Sequence, residues 1–251
     1  MDSYNTENPA AYGEAFADVY DLWYSEVSDV NALVALVANL CGGSLEDTNV
    51  VECGVGTGRV AIKLAEAGAR VTGIDASPAM LDRLQANHPS ALITPVLGDM
   101  SCDIPVGPFD AAVVAFNTLF NLSGTAHQQR FFAHVASRLR PGGILVIEAN
   151  EFRVSEAVEL EESRSVRGGR VVVSTSRLDP ESRTVSGEFT ELSDTGEIVR
   201  EWSIHYASTN EIDVMAATAG LELLYRGEDA LGKDFTYQSE RHVSAYRRPI
   251  L

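Results

Sequence analysis

Acidic residues and glycines at fixed spacing carry the first chemistry in this chain. The run Glu52-Cys53-Gly54-Val55-Gly56-Thr57-Gly58-Arg59 follows the apolar pair Val50-Val51 and precedes a helical stretch, Ala61 to Ala67. A strand that turns into a helix through glycines lets a ligand approach main-chain N–H groups closely, because glycine has no side chain and adopts conformations closed to other residues. A phosphate-cradling loop needs Lys then Ser or Thr after its last glycine, and Arg59-Val60 stands there instead. A dinucleotide turn wants a small residue just beyond Gly58, where Arg59 sits. Glu52 adds an argument of sign: its charge opposes a pyrophosphate and suits a ligand that presents an ammonium group.

The E-x-G-x-G-x-G spacing therefore favours S-adenosylmethionine over NAD. Asp75 closes the apolar run Val71-Thr72-Gly73-Ile74, where its carboxylate can accept from two ribose hydroxyls or cap a helix; the offset from the glycine loop favours the ribose. Asp99, in Gly98-Asp99-Met100, can accept from an adenine amino group while Met80 and Met100 pack on the ring faces. A turn aspartate among core methionines is the structural alternative.

Positioning these groups requires alternating strands and helices. The pattern predicts helices over Ala10 to Tyr24 and Asp29 to Leu40, the second stopped by Gly42-Gly43. Strands at Val50-Val51, Arg70 to Ile74, Leu92 to Leu97, Ala111 to Phe116 and Ile144 to Glu148 alternate with helices, one capped by Ser77-Pro78 and one over His127 to Leu139. This is the grammar of a parallel sheet covered on both faces. Beyond residue 150, Val171 to Leu178, Thr184 to Leu192 and Ile198 to Tyr206 read as an antiparallel meander with turns at Asp179-Pro180 and Asp194-Thr195-Gly196. A helix Glu211 to Ala219 and strands Leu221 to Arg226 and His242 to Tyr246 complete the chain. The expected organisation is one domain over 1–251: a helical lid at 1–41, a cofactor-binding core at 42–150, an antiparallel β insertion at 151–207, and the rest of the core at 208–251.

Composition narrows the function classes. A net charge of −17 disfavours a chain that tracks phosphate backbones. Arg164, Arg167, Arg170, Arg177 and Arg183 cluster, but Glu and Asp flank them without interleaved aromatics, as in a solvated strand face. Cys41, Cys53 and Cys102 form no C-x-x-C pair, which fits reduced thiols and no metal. The polar start Met1 to Pro9 has no basic-then-apolar signal, and no apolar run reaches spanning length. A cytoplasmic protein, without membrane or nucleic-acid partners and either monomeric or homodimeric, is expected.

The glycine loop and Asp75 resemble those of class I S-adenosylmethionine-dependent methyltransferases, with the match running from about Tyr12 to the last strand. The resemblance implies a doubly wound, seven-stranded Rossmann-like sheet whose last strand is antiparallel. It places Tyr12, Tyr20, Trp23, Glu52, Gly54, Val55, Gly56, Gly58, Asp75, Ala76, Met80, Gly98, Asp99, Met100, Phe116 and Asn117 around the cofactor. Tyr24, Thr118, Phe120 and Asn150 go to the acceptor. The opening Phe16 to Tyr24 and the meander are similar to small-molecule N-methyltransferases of bacterial natural-product pathways, such as aminosugar N,N-dimethyltransferases and peptide α-N-methyltransferases; enzymes that methylate oxygen share the layout.

Methyl transfer is an in-line displacement, so the protein mainly aligns acceptor, methyl and sulfur and excludes water. Tyr12, Tyr20, Trp23 and Tyr24 suit a lid over a sulfonium as well as a packed helix face. Tyr20 is expected to orient an amine, and His205, at the end of the meander, is the candidate base should the acceptor be a hydroxyl; a lone strand histidine also serves packing. The chain reads as a methyltransferase acting on an amine or hydroxyl of a small molecule. A peptide α-N-methyltransferase and a cofactor-binding protein without turnover are the alternatives.

Overall fold

The computed structural model describes residues 8–24, 27–88, 92–166, 170–193 and 196–250, and only the backbone of 163–166, 170 and 193. Residues 1–7, the Asp194-Thr195 turn, Arg167 and the side chains of Arg164 and Arg170 lie outside the described residues.

Strands β1 (Asn49–Cys53), β2 (Arg70–Asp75) and β3 (Ile93–Leu97), with β4 (Phe109–Val114), β5 (Leu139–Asn150), β10 (Glu222–Gly227) and β11 (Arg241–Arg247), form a seven-stranded sheet in the order β10-β11-β5-β4-β1-β2-β3. The pairs among β1 to β5 are parallel, and β11 runs antiparallel to both β5 and β10. Both faces are covered, so neighbouring residues of one strand enter different cores. Val50, Val71, Ala111 and Val146 pack with Leu33, Val37 and Leu64 on one face. Val51, Ile74, Val114 and Ile147 pack with Phe131, Phe132 and Ile212 on the other. This double burial is why the strands read as continuous apolar runs. The strand order reverses between β1 and β4, which opens a crevice at their C-terminal ends.

Helices α3 (Val30–Leu40), α4 (Ala61–Glu66), α5 (Pro78–Asn87), α6 (Thr125–Arg138) and α7 (Thr209–Thr218) cover the sheet. Ser77 caps α5, its Oγ accepting from Met80 N–H at 3.3 Å. Helix α3 belongs to the core, so only the preceding part of the N-terminal segment reaches the crevice. There the expected single helix is broken into α1 (Ala11–Phe16) and α2 (Tyr20–Trp23). The break sets Phe16 and Trp23 against one common partner, with ring centroids 5.7 and 5.5 Å from Phe189. Tertiary packing overrides the local helical pattern here.

The insertion forms a separate sheet of four strands, β6 (Val158–Val166), β7 (Arg170–Asp179), β8 (Thr184–Ser193) and β9 (Gly196–His205). Strand β6 is absent from the expected meander because Glu159, Glu161 and Glu162 mask its pattern. As an edge strand it tolerates such charge. Arg177 on β7 pairs with Glu159 directly across the ladder at 3.3 Å, and Arg183 pairs with Glu211.

Gly73 on β2 makes room for the glycine loop: a Cβ there would lie 2.7 Å from Cγ2 of buried Val55 and 3.0 Å from its other side-chain carbons. A β-branched neighbour has no rotamer that clears all three contacts. Gly73→Ala is expected to destabilise the chain by about 1–3 kcal/mol, read as a lowered urea midpoint with an unchanged slope.

Candidate active site

The crevice at the strand ends is a cavity of about 490 Å³. Its floor is built from the loop after β1 (Gly54, Gly56), the end of β2 (Asp75, Ala76), Met80 of α5 and the turn after β3 (Gly98, Asp99, Met100). Tyr12, Tyr20 and Tyr24 come from the N-terminal segment, and Phe116, Asn117, Thr118 and Asn150 from the ends of β4 and β5. Its other wall is the meander.

The glycine loop turns through φ of +70°, +55° and +94° at Gly54, Gly56 and Gly58. At Gly54 and Gly58 neighbouring side chains also crowd the space a Cβ would take. A Cβ on Gly54 would lie 2.2 Å from Thr118 Cγ2, and one on Gly58 would lie 2.3 Å from Leu84 Cδ1. Gly56 N–H donates to Asp75 Oδ2 at 2.8 Å, and Ser77 N–H donates to Asp75 Oδ1 at 2.9 Å. Asp75 is therefore both a cavity residue and the clamp on the loop; with Ala76 N–H as a further donor, its roughly four acceptor sites are not exhausted. Burial raises its pKa, opposed by those backbone hydrogen bonds. Asp99 accepts from Ser101 N–H at 2.7 Å through one oxygen, within a turn closed by Asp103.

Glu52 stands elsewhere than expected. It does not line the cavity but lies beneath the loop, 3% exposed, accepting a hydrogen bond from Ala61 N–H at the start of α4. Its Oε2 has no hydrogen-bond partner among the described residues. Burial pushes its pKa up to about 8, against the pull of Arg59. Val55 and Gly58 are likewise packed behind the loop, and Trp23 is buried between Phe16 and Phe189.

Tyr20 faces the cavity with its pKa pushed up to about 12, mainly by burial, with Tyr24, Glu52 and Asp75 adding and Arg59 opposing. It stays a phenol at neutral pH. Phe116 and Asn117 hold left-handed φ of +40° and +51°. Glu148 supports this turn: its Oε2 accepts from Phe116 N–H and its carbonyl from Asn117 N–H, each at 3.1 Å, while Asn117 Oδ1 accepts from Asn150 N–H at 2.7 Å.

The meander presents Leu160, Glu162, Val172, Ser174, Ser176, Leu178, Val185, Phe189, Trp202 and Ile204 to the cavity. Along each strand these are alternate residues, as the pleat requires. By the same alternation His205, next to Ile204, falls outside this cavity. It borders an adjoining hollow with Phe120, Ser123 and His127, and its Nε2 lies 3.4 Å from Thr125 Oγ1. Burial and Arg183 lower its pKa. Phe120 is fully buried and is likewise placed away from the main cavity. The meander is the expected wall of the acceptor pocket, but its individual wall residues, with Gly13, Asn121, Leu122 and Phe152, line the cavity without having been singled out in the sequence. The alternation was legible there, but not which face turns inward.

Glu52 offers a direct test of this burial. Its native pKa lies above the unfolded value, so the unfolded chain ionises first and stability falls as pH rises from about 4.5 to about 8. Glu52→Gln retains an acceptor for Ala61 N–H and has no proton to lose. Urea midpoints at successive pH values are expected to favour the variant increasingly across that interval; a constant difference would refute the burial cost.

A floor of side-chain-free loop backbone, a carboxylate at the end of β2, another after β3 and methionines between them match the amino-acid, ribose and adenine parts of S-adenosylmethionine in chemistry. Residues 50–143 match the family model described as a methyltransferase domain. The chain is 34% identical to the CcbJ methyltransferase from Streptomyces caelestis, with a TM-score of 0.85 over 95% of this chain and 98% of that one. It is 27% identical to the cypemycin N-terminal methyltransferase of a Streptomyces species over 97% of both chains. It shares the fold of CalS10, an amino pentose methyltransferase from Micromonospora echinaspora, with 24% identity and a TM-score of 0.73 over 92% of this chain and 96% of that one. With the glycine loop, the strand-end carboxylates and full-length similarity in agreement, the chain belongs to the class I S-adenosylmethionine-dependent methyltransferases.

Proposed function

We propose that this enzyme methylates an amine nitrogen of a small natural-product acceptor held between the Phe116–Asn117 turn and the meander. The observation that carries amine over hydroxyl is the placement of proton acceptors: among the described residues no histidine lines the cavity, Tyr20 is held as a neutral phenol, Asp75 and Asp99 belong to the cofactor floor, and the carboxylate on the acceptor wall, Glu162, is exposed. A hydroxyl needs a base before its oxygen attacks, whereas a free-base amine needs only alignment. The similar cypemycin enzyme is named for a peptide N-terminus and CalS10 for an amino pentose, and both names support nitrogen.

Bound S-adenosylmethionine supplies an activated methyl group on a sulfonium. In our reading the Gly54 and Gly56 backbone faces the methionine part, Asp75 accepts from the ribose hydroxyls, and Gly98, Asp99, Met100, Ala76 and Met80 enclose the adenine. Tyr12, Tyr20, Tyr24 and Phe116 surround the reacting centre and exclude water, with aromatic faces compatible with positive charge. Tyr20 orients the amine through its hydroxyl, and Asn117, Thr118 and Asn150 contact the acceptor beside the meander. Glu52, from beneath the loop, holds the start of α4 through Ala61 N–H and so supports the backbone that faces the ammonium end.

No helix among the described residues is long and apolar enough to cross a membrane. The three cysteines are free thiols, which supports a reducing compartment such as the cytoplasm. We propose a monomer or homodimer, with an acidic surface unsuited to nucleic acid.

Calorimetry is expected to show binding of S-adenosylhomocysteine and none of NAD; the reverse would overturn the cofactor assignment. Asp75→Ala loses charge-assisted hydrogen bonds and the clamp on Gly56, so affinity should fall by on the order of 2 kcal/mol or more. Unchanged affinity would reduce Asp75 to a turn residue. Release of S-adenosylhomocysteine is to be measured with matched aminosugar, peptide and hydroxyl-only acceptors. Turnover is expected with an amine, lowered up to about a hundredfold by Tyr20→Phe and barely changed by His205→Ala. Turnover with the hydroxyl acceptor alone, lost in His205→Ala, would move the reading to oxygen.

A further inference from the structure

The N-terminal segment is attached to both sides of the cavity by its acidic side chains. Towards the cofactor floor, Glu14 Oε1 accepts from Ser77 Oγ at 2.7 Å, and Asp21 accepts from Thr57 Oγ1 at 2.5 Å and from Asn87 Nδ2 at 3.0 Å. Ser77 is a partner of Asp75, and Thr57 belongs to the glycine loop, so both contacts end on residues that shape the cofactor floor. Towards the acceptor wall, the segment's Asp18 carboxylate and Ala15 carbonyl both meet one side chain, Arg200 of β9. Its Nη2 donates to Asp18 Oδ2 at 2.6 Å and its Nε to the Ala15 carbonyl at 2.9 Å. Its Nη1 lies 3.5 Å from Glu191 Oε2 of β8, and its guanidinium sits 5.6 Å from the Trp23 ring centroid.

Arg200 is 9% exposed and Glu191 2%. A guanidinium buried this far is costly unless its donors are paired, and of the donors that Glu191 leaves over two, on Nε and Nη2, are taken by the N-terminal segment. Arg200 shares its face of β9 with Trp202 and Ile204, which line the cavity. Phe189, paired with Arg200 in the ladder, stacks on Trp202 at 5.8 Å and meets Phe16 and Trp23 edge-on. The short stretch of chain from Asp18 to Asp21 thus joins contacts with the glycine loop to contacts with the meander.

We propose that Arg200 is a positioning residue that couples the acceptor wall to the cofactor floor, so that filling the cofactor site orders the wall against which the acceptor is placed. The proposal rests on the cofactor reading above and extends it: by linkage, an acceptor that holds the wall in place also strengthens cofactor binding. A lid over the cofactor alone would leave the meander indifferent to the cofactor.

Hydrogen exchange with and without S-adenosylhomocysteine tests this in the full chain. In the parent, residues 11–24 and strand β9 are both expected to slow by about tenfold, the factor that corresponds to ~1.4 kcal/mol. Asp18→Asn removes the segment's carboxylate that meets Arg200 while leaving Arg200 compensated by Glu191, and Arg200→Lys keeps the cation but loses the fork. In both variants residues 11–24 should still respond, through Glu14 and Asp21, while the response of β9 falls to about twofold or less. Arg200→Lys should retain more of it than Arg200→Met. A silent β9 in the parent, or an undiminished β9 response in Asp18→Asn and Arg200→Met, overturns the coupling. Absence of calorimetric binding in the parent would instead strike the cofactor reading itself.

Discussion

The Asp75 carboxylate accepts Gly56 N–H through one oxygen and Ser77 N–H through the other, so a single side chain ties the turn leaving β1 to the start of α5. The cavity floor depends on that clamp. Without it the left-handed glycines have no reason to hold one path, and the helix cap at Ser77 loses its anchor. Because Ser77 also meets Glu14, and Gly13 of α1 approaches Ser77 so closely that a Cβ would fall 2.3 Å from it, the docking of the N-terminal segment follows from the same point. A carboxylate already used this way still has acceptor capacity for a ligand, so structural and binding roles can coincide.

A second constraint lies beneath the floor. Arg59 draws down the pKa of two carboxylates, buried Glu52 under the glycine loop and part-buried Glu148 under the Phe116–Asn117 turn, against the burial that raises both. The turn holds two consecutive non-glycine residues in a left-handed conformation, which costs of order 1–3 kcal/mol each. Hydrogen bonds donated to Glu148 by the Phe116 and Asn117 N–H groups, and to Asn117 by Asn150 N–H, offset that strain and bring Phe116 and Asn117 to the cavity.

The meander divides labour with the sheet. The sheet supplies loop ends with fixed backbone geometry; the meander supplies an apolar wall with two serine hydroxyls and Glu162. Between them sits a third apolar cluster, separate from the two cores of the sheet, in which Phe16, Val19, Trp23 and Tyr24 meet Met80 and Val172. The N-terminal segment is therefore packed as a joint between cofactor floor and acceptor wall.

The features that the sequence determined by itself are local. The strand–glycine–helix spacing of residues 50–67, the aspartate closing β2, the Ser77-Pro78 helix start and the alternation after residue 150 are set by neighbours a few positions apart, so they survive being read one window at a time. What the tertiary structure alone decided are relations between distant residues and choices between equivalent faces. Period-two alternation marks two sides of β9 but does not say that Trp202 and Ile204, rather than His205, turn inward; that depends on the body the sheet packs against. Strand β6 is hidden by its glutamates because an edge strand is held by pairing with β7 rather than by burial of its own side chains. Glu52 is drawn beneath the loop by Ala61 N–H, and the break in the N-terminal helix answers to Phe189, more than 160 residues away in the chain. Such contacts leave no local signature, because the free energy that selects them comes from surfaces brought together only when the chain has folded.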